Sequence, residues 1–214
     1  MISENSFYTK LKIITAFIFI NISLCTAINA DNITFTADLM TGKAGNKNEA
    51  TTLTGNAYVK TNSITLSSES IELSGKDFRY VTATGTVKGS YTASGLDFEC
   101  ATLRYDREKE TVSLSGSVIL IDKENGVRAN AQIIEYDKAS DIATMQIDVK
   151  IKQKNNTCSS AYATYKKKDQ TLELNGNALV QKENDSFRAQ SIKFDLESEE
   201  ITMDGNVRGS VTDD

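Results

Sequence analysis

The sequence predicts an all-β protein: an elongated antiparallel array of about six tandem two-strand units, each of about 30 residues, around one continuous interior. Three observations carry this reading. Glycines recur at one interval, at Gly55, Gly85, Gly116, Gly176 and Gly205, and Ile147 fills the one slot that lacks a glycine. Apolar and polar residues alternate with period two through each of these positions. Proline is absent, as suits long paired strands in which every N–H is needed.

The long strand of each unit is the clearest element. Around Gly116 the residues Val112, Leu114, Val118 and Leu120 share one face, and Ser113, Ser115 and Ser117 take the other. The same register gives Met145, Ile147 and Val149, then Leu172, Leu174, Gly176 and Ala178, then Met203, Gly205 and Val207. An earlier unit repeats it with Val81, Ala83, Gly85 and Val87. The glycine therefore falls on the inward register, midway along the strand. Glycine weakens a strand, so its recurrence marks a bend, and the five glycines are read as corners where each strand passes from one sheet into a second.

A shorter strand precedes each long one, centred on Leu103–Asp106, Ile134–Asp137, Ala163–Lys166 and Ile192–Asp195. Its aromatic residue (Tyr105, Tyr136, Tyr165 or Phe194) is expected to fill the core, and the following Asp to close an Asx-type turn. A small residue stands five positions before each aromatic: Cys100, Ala131, Ser160 and Ala189. Polar turns such as Arg107–Glu110, Asp122–Gly126 and Lys166–Asp169 are too short for crossovers, so the units form an antiparallel meander. The ends are irregular. Ile33 and Phe35 alternate, a polar loop runs from Gly42 to Glu49, and the pattern stops soon after Gly209.

Residues 1–30 read as a signal peptide and residues 31–214 as the β domain. Lys10 and Lys12 precede an apolar run from Ile13 to Leu24, and Ala27–Ala30 offers a small-residue cleavage site. The run is shorter than the roughly 20 residues of a membrane span. A retained anchor is the alternative, and Ile22–Cys25 is a poor lipoprotein signal because Leu24 precedes the cysteine. Without residues 1–30 the chain keeps an acidic excess, which excludes nucleic acid as a partner. Cys100 and Cys158 lie two units apart, roughly 9–10 Å at the spacing of paired strands, beyond the reach of a disulfide. Two buried free thiols are expected.

The residues argue against catalysis, cofactors and metals. Histidine is absent, which removes the commonest general base and zinc ligand. The Tyr–Asp pair recurs in unit after unit, whereas an active site is normally unique. Asp122–Gly126 lacks the remaining ligands of a calcium loop and fits a hairpin turn. Asn155–Thr157 and Asn184–Ser186 match glycosylation acceptors, a triplet that is common by chance. What remains is the interior. Small inward residues (Ala57, Ala83, Gly89, Ala163, Ala178 and Gly209) suggest that the sheets stay apart and leave an apolar groove. An acyl chain of a dozen methylenes buried there would gain on the order of 10 kcal/mol. A fully packed structural or adhesive repeat protein is the rival reading. The side chains expected to line the groove are Val87, Leu103, Tyr105, Val112, Leu114, Val118, Leu120, Ile134, Tyr136, Met145, Val149, Leu174, Ile192, Phe194 and Met203.

Gly85–Thr86–Val87, Gly116–Ser117–Val118 and Gly205–Asn206–Val207, with Cys100–Asp106, Ala131–Asp137 and Ala189–Asp195, resemble the OstA-like repeat of the LptA family over residues 33–209. The resemblance implies a periplasmic β-jellyroll, V-shaped in section and open at both ends, that holds lipid A acyl chains of lipopolysaccharide. It also implies head-to-tail self-association, an LptC-like inner-membrane partner and an LptD-like outer-membrane translocon. Unpaired strand edges at both ends would suit such joining. Ile147 in the glycine slot and Lys166 after Tyr165 depart from the pattern. LptC-like proteins share the fold, so a membrane-anchored role in the same pathway is the alternative. At Ile147 the strand is expected to bend less, or to bend at Gln146 or Asp148.

Overall fold

The computed structural model describes residues 33–42 and 50–212. The signal peptide read at 1–30, most of the polar loop ending at Glu49, and Asp213–Asp214 lie outside the described residues. Among those described, fourteen strands form one unclosed antiparallel sheet. Two short strands, β1 (Thr34–Thr36) and β2 (Leu39–Thr41), pair with β3 (Thr51–Lys60). The meander then runs through β4 (Ile64–Ser74), β5 (Tyr80–Tyr91), β6 (Leu96–Asp106), β7 (Thr111–Asp122) and β8 (Val127–Asp137). It continues through β9 (Ile142–Gln153), β10 (Asn156–Lys166), β11 (Thr171–Lys182) and β12 (Asp185–Asp195). Both β13 (Ile201–Asp204) and β14 (Arg208–Ser210) pair with β12. The two facing layers read from the sequence are thus two arms of a single folded sheet.

The fold line is a row of bulges. Ser115 pairs with Ile133 and Val118 with Ala131, so Gly116 and Ser117 stand opposite Gln132 alone. Inward residues are consequently four apart on the long strand (Leu114, Val118) and three apart on the short one (Ala131, Ile134). Corresponding shifts fall between Thr54 and Ala57, Thr84 and Val87, and Asn175 and Ala178. One extra residue per long strand bends the sheet and returns the apolar set to the same side. One arm holds residues such as 118–122 and 127–131, and the other residues such as 111–115 and 133–137. We call them the upper and lower arms.

The corner reading holds, but the glycines do not face inward. A Cβ on Gly116 would stand 2.7 Å from the Cβ of Ala101, and one on Gly176 would stand 3.0 Å from that of Ala161. Both alanines are exposed, so each missing side chain would point at the outer ridge of the corner. Backbone conformation explains the residue choice: Gly116 has φ +83°, Gly176 +78° and Gly205 +73°. Nor does the strand straighten at Ile147. Ile147 (φ +66°) and Asp148 (φ +54°) make the same two-residue step, and the isoleucine side chain is 53% exposed. A left-handed β-branched residue is strained by roughly 1–2 kcal/mol. Ile147→Gly should therefore raise stability by about 1 kcal/mol, after the entropy that glycine adds to the unfolded chain. Urea unfolding measures this, and a loss of stability would contradict it.

Inward side chains of both arms make one contiguous core, from Leu53 to Leu196. Outside it, Asp106, Asp137 and Asp195 close the turns as Asx residues, accepting N–H bonds from the second and third residues onward. Arg79 also grips Asp106 through two hydrogen bonds of 2.9 and 2.7 Å, which lowers that carboxyl to a pKa of about 2.

Candidate functional site

The interior is the first candidate. Of the fifteen predicted groove residues, all but Met203 are buried in the core at 5% exposure or less, and Met203 packs half-buried against it. The structure thus brings the set together, but it closes the expected open groove. The reason is visible at Gly89, where a Cβ would come within 2.3 Å of the Phe98 ring. That small residue makes room for a large one instead of leaving a gap. The dense packing gains dispersion contacts that a void would forfeit. A cavity of about 750 Å³ is lined by Tyr105, Val112 and Tyr136 of the predicted set together with residues such as Tyr80, Arg104 and Glu135.

Where the strand ends of the two arms meet, side chains join them in a polar seam. At its centre Tyr165, on the lower arm, donates to Asp122 Oδ2 of the upper arm at 2.8 Å. Lys167 Nζ lies 3.3 Å from Asp122 Oδ1 and also pairs with Glu124. Asn125 Nδ2 donates to Tyr165 Oη at 2.8 Å and to the Lys167 carbonyl at 3.3 Å. The side chains of Asp122 and Lys167 are only 1% and 8% exposed. Burial works to lower the Lys167 pKa, but Glu124 and Asp122 outweigh it and the net shift is upward.

A second knot lies beside it. Tyr136 donates to Asp141, and the Ser94 hydroxyl, 2.9 Å away, donates to Tyr136 Oη. Tyr91 packs edge-on against Tyr105 and Tyr136, with ring centres 6.5 and 6.0 Å away, and donates to Glu110. Further along, Phe194 has no hydroxyl, and Gln153 Nε2 reaches the Leu196 carbonyl at 3.4 Å. The aromatic read as core filler therefore has a second task, because Tyr136 and Tyr165 each carry a hydroxyl that bonds to a turn of the opposite arm. Sequence reasoning missed Asp122 and Lys167 by reading them as turn residues. The available signal was parity, since Asp122 continues the inward series Val118, Leu120, and Lys167 continues Ala163, Tyr165.

Burial raises the phenol pKa of Tyr91 to about 12, and with carboxylate neighbours raises Tyr136 and Tyr165 further. An unfolded chain loses these protons near the ordinary value of 10.0, while the fold retains them. Stability is therefore full below pH 10.0 and falls as pH rises above it. Phenolate absorbance should show Tyr91, Tyr136 and Tyr165 ionising late, together with unfolding. Ionisation of every tyrosine in one early step would contradict the seam. Burial also raises the free thiols, Cys100 to about 11 and Cys158 to about 12, so both are poorly nucleophilic at neutral pH.

Among the described residues no helix is long and apolar enough to cross a membrane. A search of curated proteins finds no match. One solved structure that aligns is LptH, the LptA-homologous periplasmic component of the conserved lipopolysaccharide transport device of Pseudomonas aeruginosa. The alignment covers 85% of this chain and 96% of that one, at 13% identity and a TM-score of 0.26, too low to carry an argument. The profile of the family described as LptA/(LptD N-terminal domain) LPS transport protein matches residues 28–170 and 134–200. With most of its length matched, the chain belongs to the LptA/LptD N-terminal-domain family of LPS transport proteins.

Proposed function

We propose that this protein is a non-enzymatic carrier that conveys lipopolysaccharide or a related lipid through the periplasm, with the acyl chains held between its arms. The observation that supports this best is the unbroken inward apolar surface that passes through every strand from β3 to β12 on both arms. Acyl chains that part the arms replace side-chain contacts with equivalent ones, at ~0.8 kcal/mol per methylene buried. Export through a cleaved segment at residues 1–30 would deliver the domain to that compartment. A membrane-retained product would instead favour the LptC-like role, and fractionation separates the two.

The sheet edges suit head-to-tail joining with other copies and with LptC-like and LptD-like proteins. One edge carries β1 and β2, of three residues each, with Phe35, Leu39 and Met40 exposed. The opposite edge carries β13 and β14, with Val207 and Val211 exposed nearby. Unpaired backbone groups flanked by exposed apolar side chains accept further strands. The closed core, on the other hand, favours the packed structural rival. Photocrosslinkers decide between them. At Leu114, Val118 or Met145 they should capture lipid in cells, and at the outward Ser113 or Ser117 they should not. Equal labelling of both faces, or no lipid at either, would overturn the proposal.

A further inference from the structure

We infer that the polar seam is the door through which acyl chains enter, and that the knot of Asp122, Tyr165, Lys167 and Asn125 is its latch. This rests on the lipid-carrier reading and adds the route of loading. Each boundary of the interior opens at a different cost. On the corner side ten continuous strands pass from one arm to the other, and no parting is possible there without breaking the chain. On the seam side the backbone hydrogen bonds between neighbouring turns stay within one arm. Lys123 N–H to the Gly95 carbonyl lies in the upper arm, and Lys138 N–H to Glu110 and Lys167 N–H to Asp141 lie in the lower. Side-chain groups make the crossing contacts just described.

The arms can therefore part as two intact ladders. The corner bulges, where ladder pairing already lapses, supply the hinge line. The groups released at the seam are a carboxylate, an ammonium, a phenol and an amide, which water solvates readily, while incoming chains cover the apolar residues behind them. A cleft of about 270 Å³ already lies over the latch, bounded by Ala93, Ser94 and Asn125 on one side and by Asp141, Lys167 and Lys168 on the other. Its polar lining suits the headgroup of an amphiphile whose chains lie deeper. Passage through the sheet edges is the competing route.

The test follows uptake of a phospholipid with one fluorescent acyl chain by the purified protein. Tyr165→Phe and Lys167→Met should each speed loading by about five-fold, as expected for one lost hydrogen bond or ion pair in the barrier. For a lock, Ala93→Cys and Lys168→Cys are introduced with Cys25→Ser and joined by a bismaleimide. Both sites are exposed, and the buried Cys100 and Cys158 do not compete. The linked protein should load at least about ten-fold more slowly than the same protein unlinked. Equal rates with and without the link would place entry at the sheet edges and overturn the inference. Wild-type rates in both latch variants would also overturn it, by removing the latch from the barrier. In either case normal final occupancy would leave the carrier reading intact. No uptake by any form, with empty crosslinks at Leu114, would instead sink the carrier reading and the door with it.

Discussion

Asp122→Ala should lower stability by about 3 kcal/mol, the low end of what breaking a buried ion pair costs. The substitution leaves the Lys167 ammonium in a site where its side chain is 8% exposed, and it strips an acceptor from Tyr165 and Asn125. Glu124 remains beside Lys167, which is why the effect stays at the low end. Asp122 also accepts N–H bonds from Glu124 and Asn125, so its turn loosens as well. Lys167→Met in the same chain should recover much of the loss, because the stranded charge goes with it. A double-mutant cycle in urea reads the coupling directly. Losses that simply add would show that the two residues do not act as a pair.

Gly116→Val should cost about 3–4 kcal/mol, through left-handed backbone strain together with forced displacement of a neighbour. Gly116 has φ +83°, and the added Cβ would lie 2.7 Å from that of Ala101, fixed in the adjacent strand. Gly126 provides the comparison. It also has a positive φ (+63°), but a Cβ there meets nothing within 4 Å, so Gly126→Ala should cost only about 1 kcal/mol. Equal losses at the two sites would show that close approach at the corner contributes nothing. Thermal or urea unfolding distinguishes the outcomes.

Much of the fold was legible because period-two alternation is a direct image of the pleat. Val112, Leu114, Val118 and Leu120 are buried where the alternation puts them. Their spacing even contained the bulge, but four residues between Leu114 and Val118 look like ordinary alternation. The three-residue step on the partner strand, from Ala131 to Ile134, is what shows that the corner glycine faces outward. At Ile147 a weaker bend, or one at Gln146 or Asp148, is the sequence expectation; the step takes Asp148 and Ile147 together, because identical steps on either side outweigh one strained residue. The state of the interior was hardest to read, since small inward residues indicate space and not what fills it. At Gly89 the occupant comes from the neighbouring strand, with Phe98 opposite it in register.

The one-residue surplus at each corner separates the width of the molecule from its length. Width is set within a single strand, by the five or so residues on either side of the bulge. Length is set by how many strands are laid side by side, at roughly 10 Å for each added pair. Duplicating one long strand with its short companion, bulge included, would restore every apolar residue to its proper face. A chain of this design can thus be lengthened by tandem copying, while the cross-section presented to its contents stays the same from end to end.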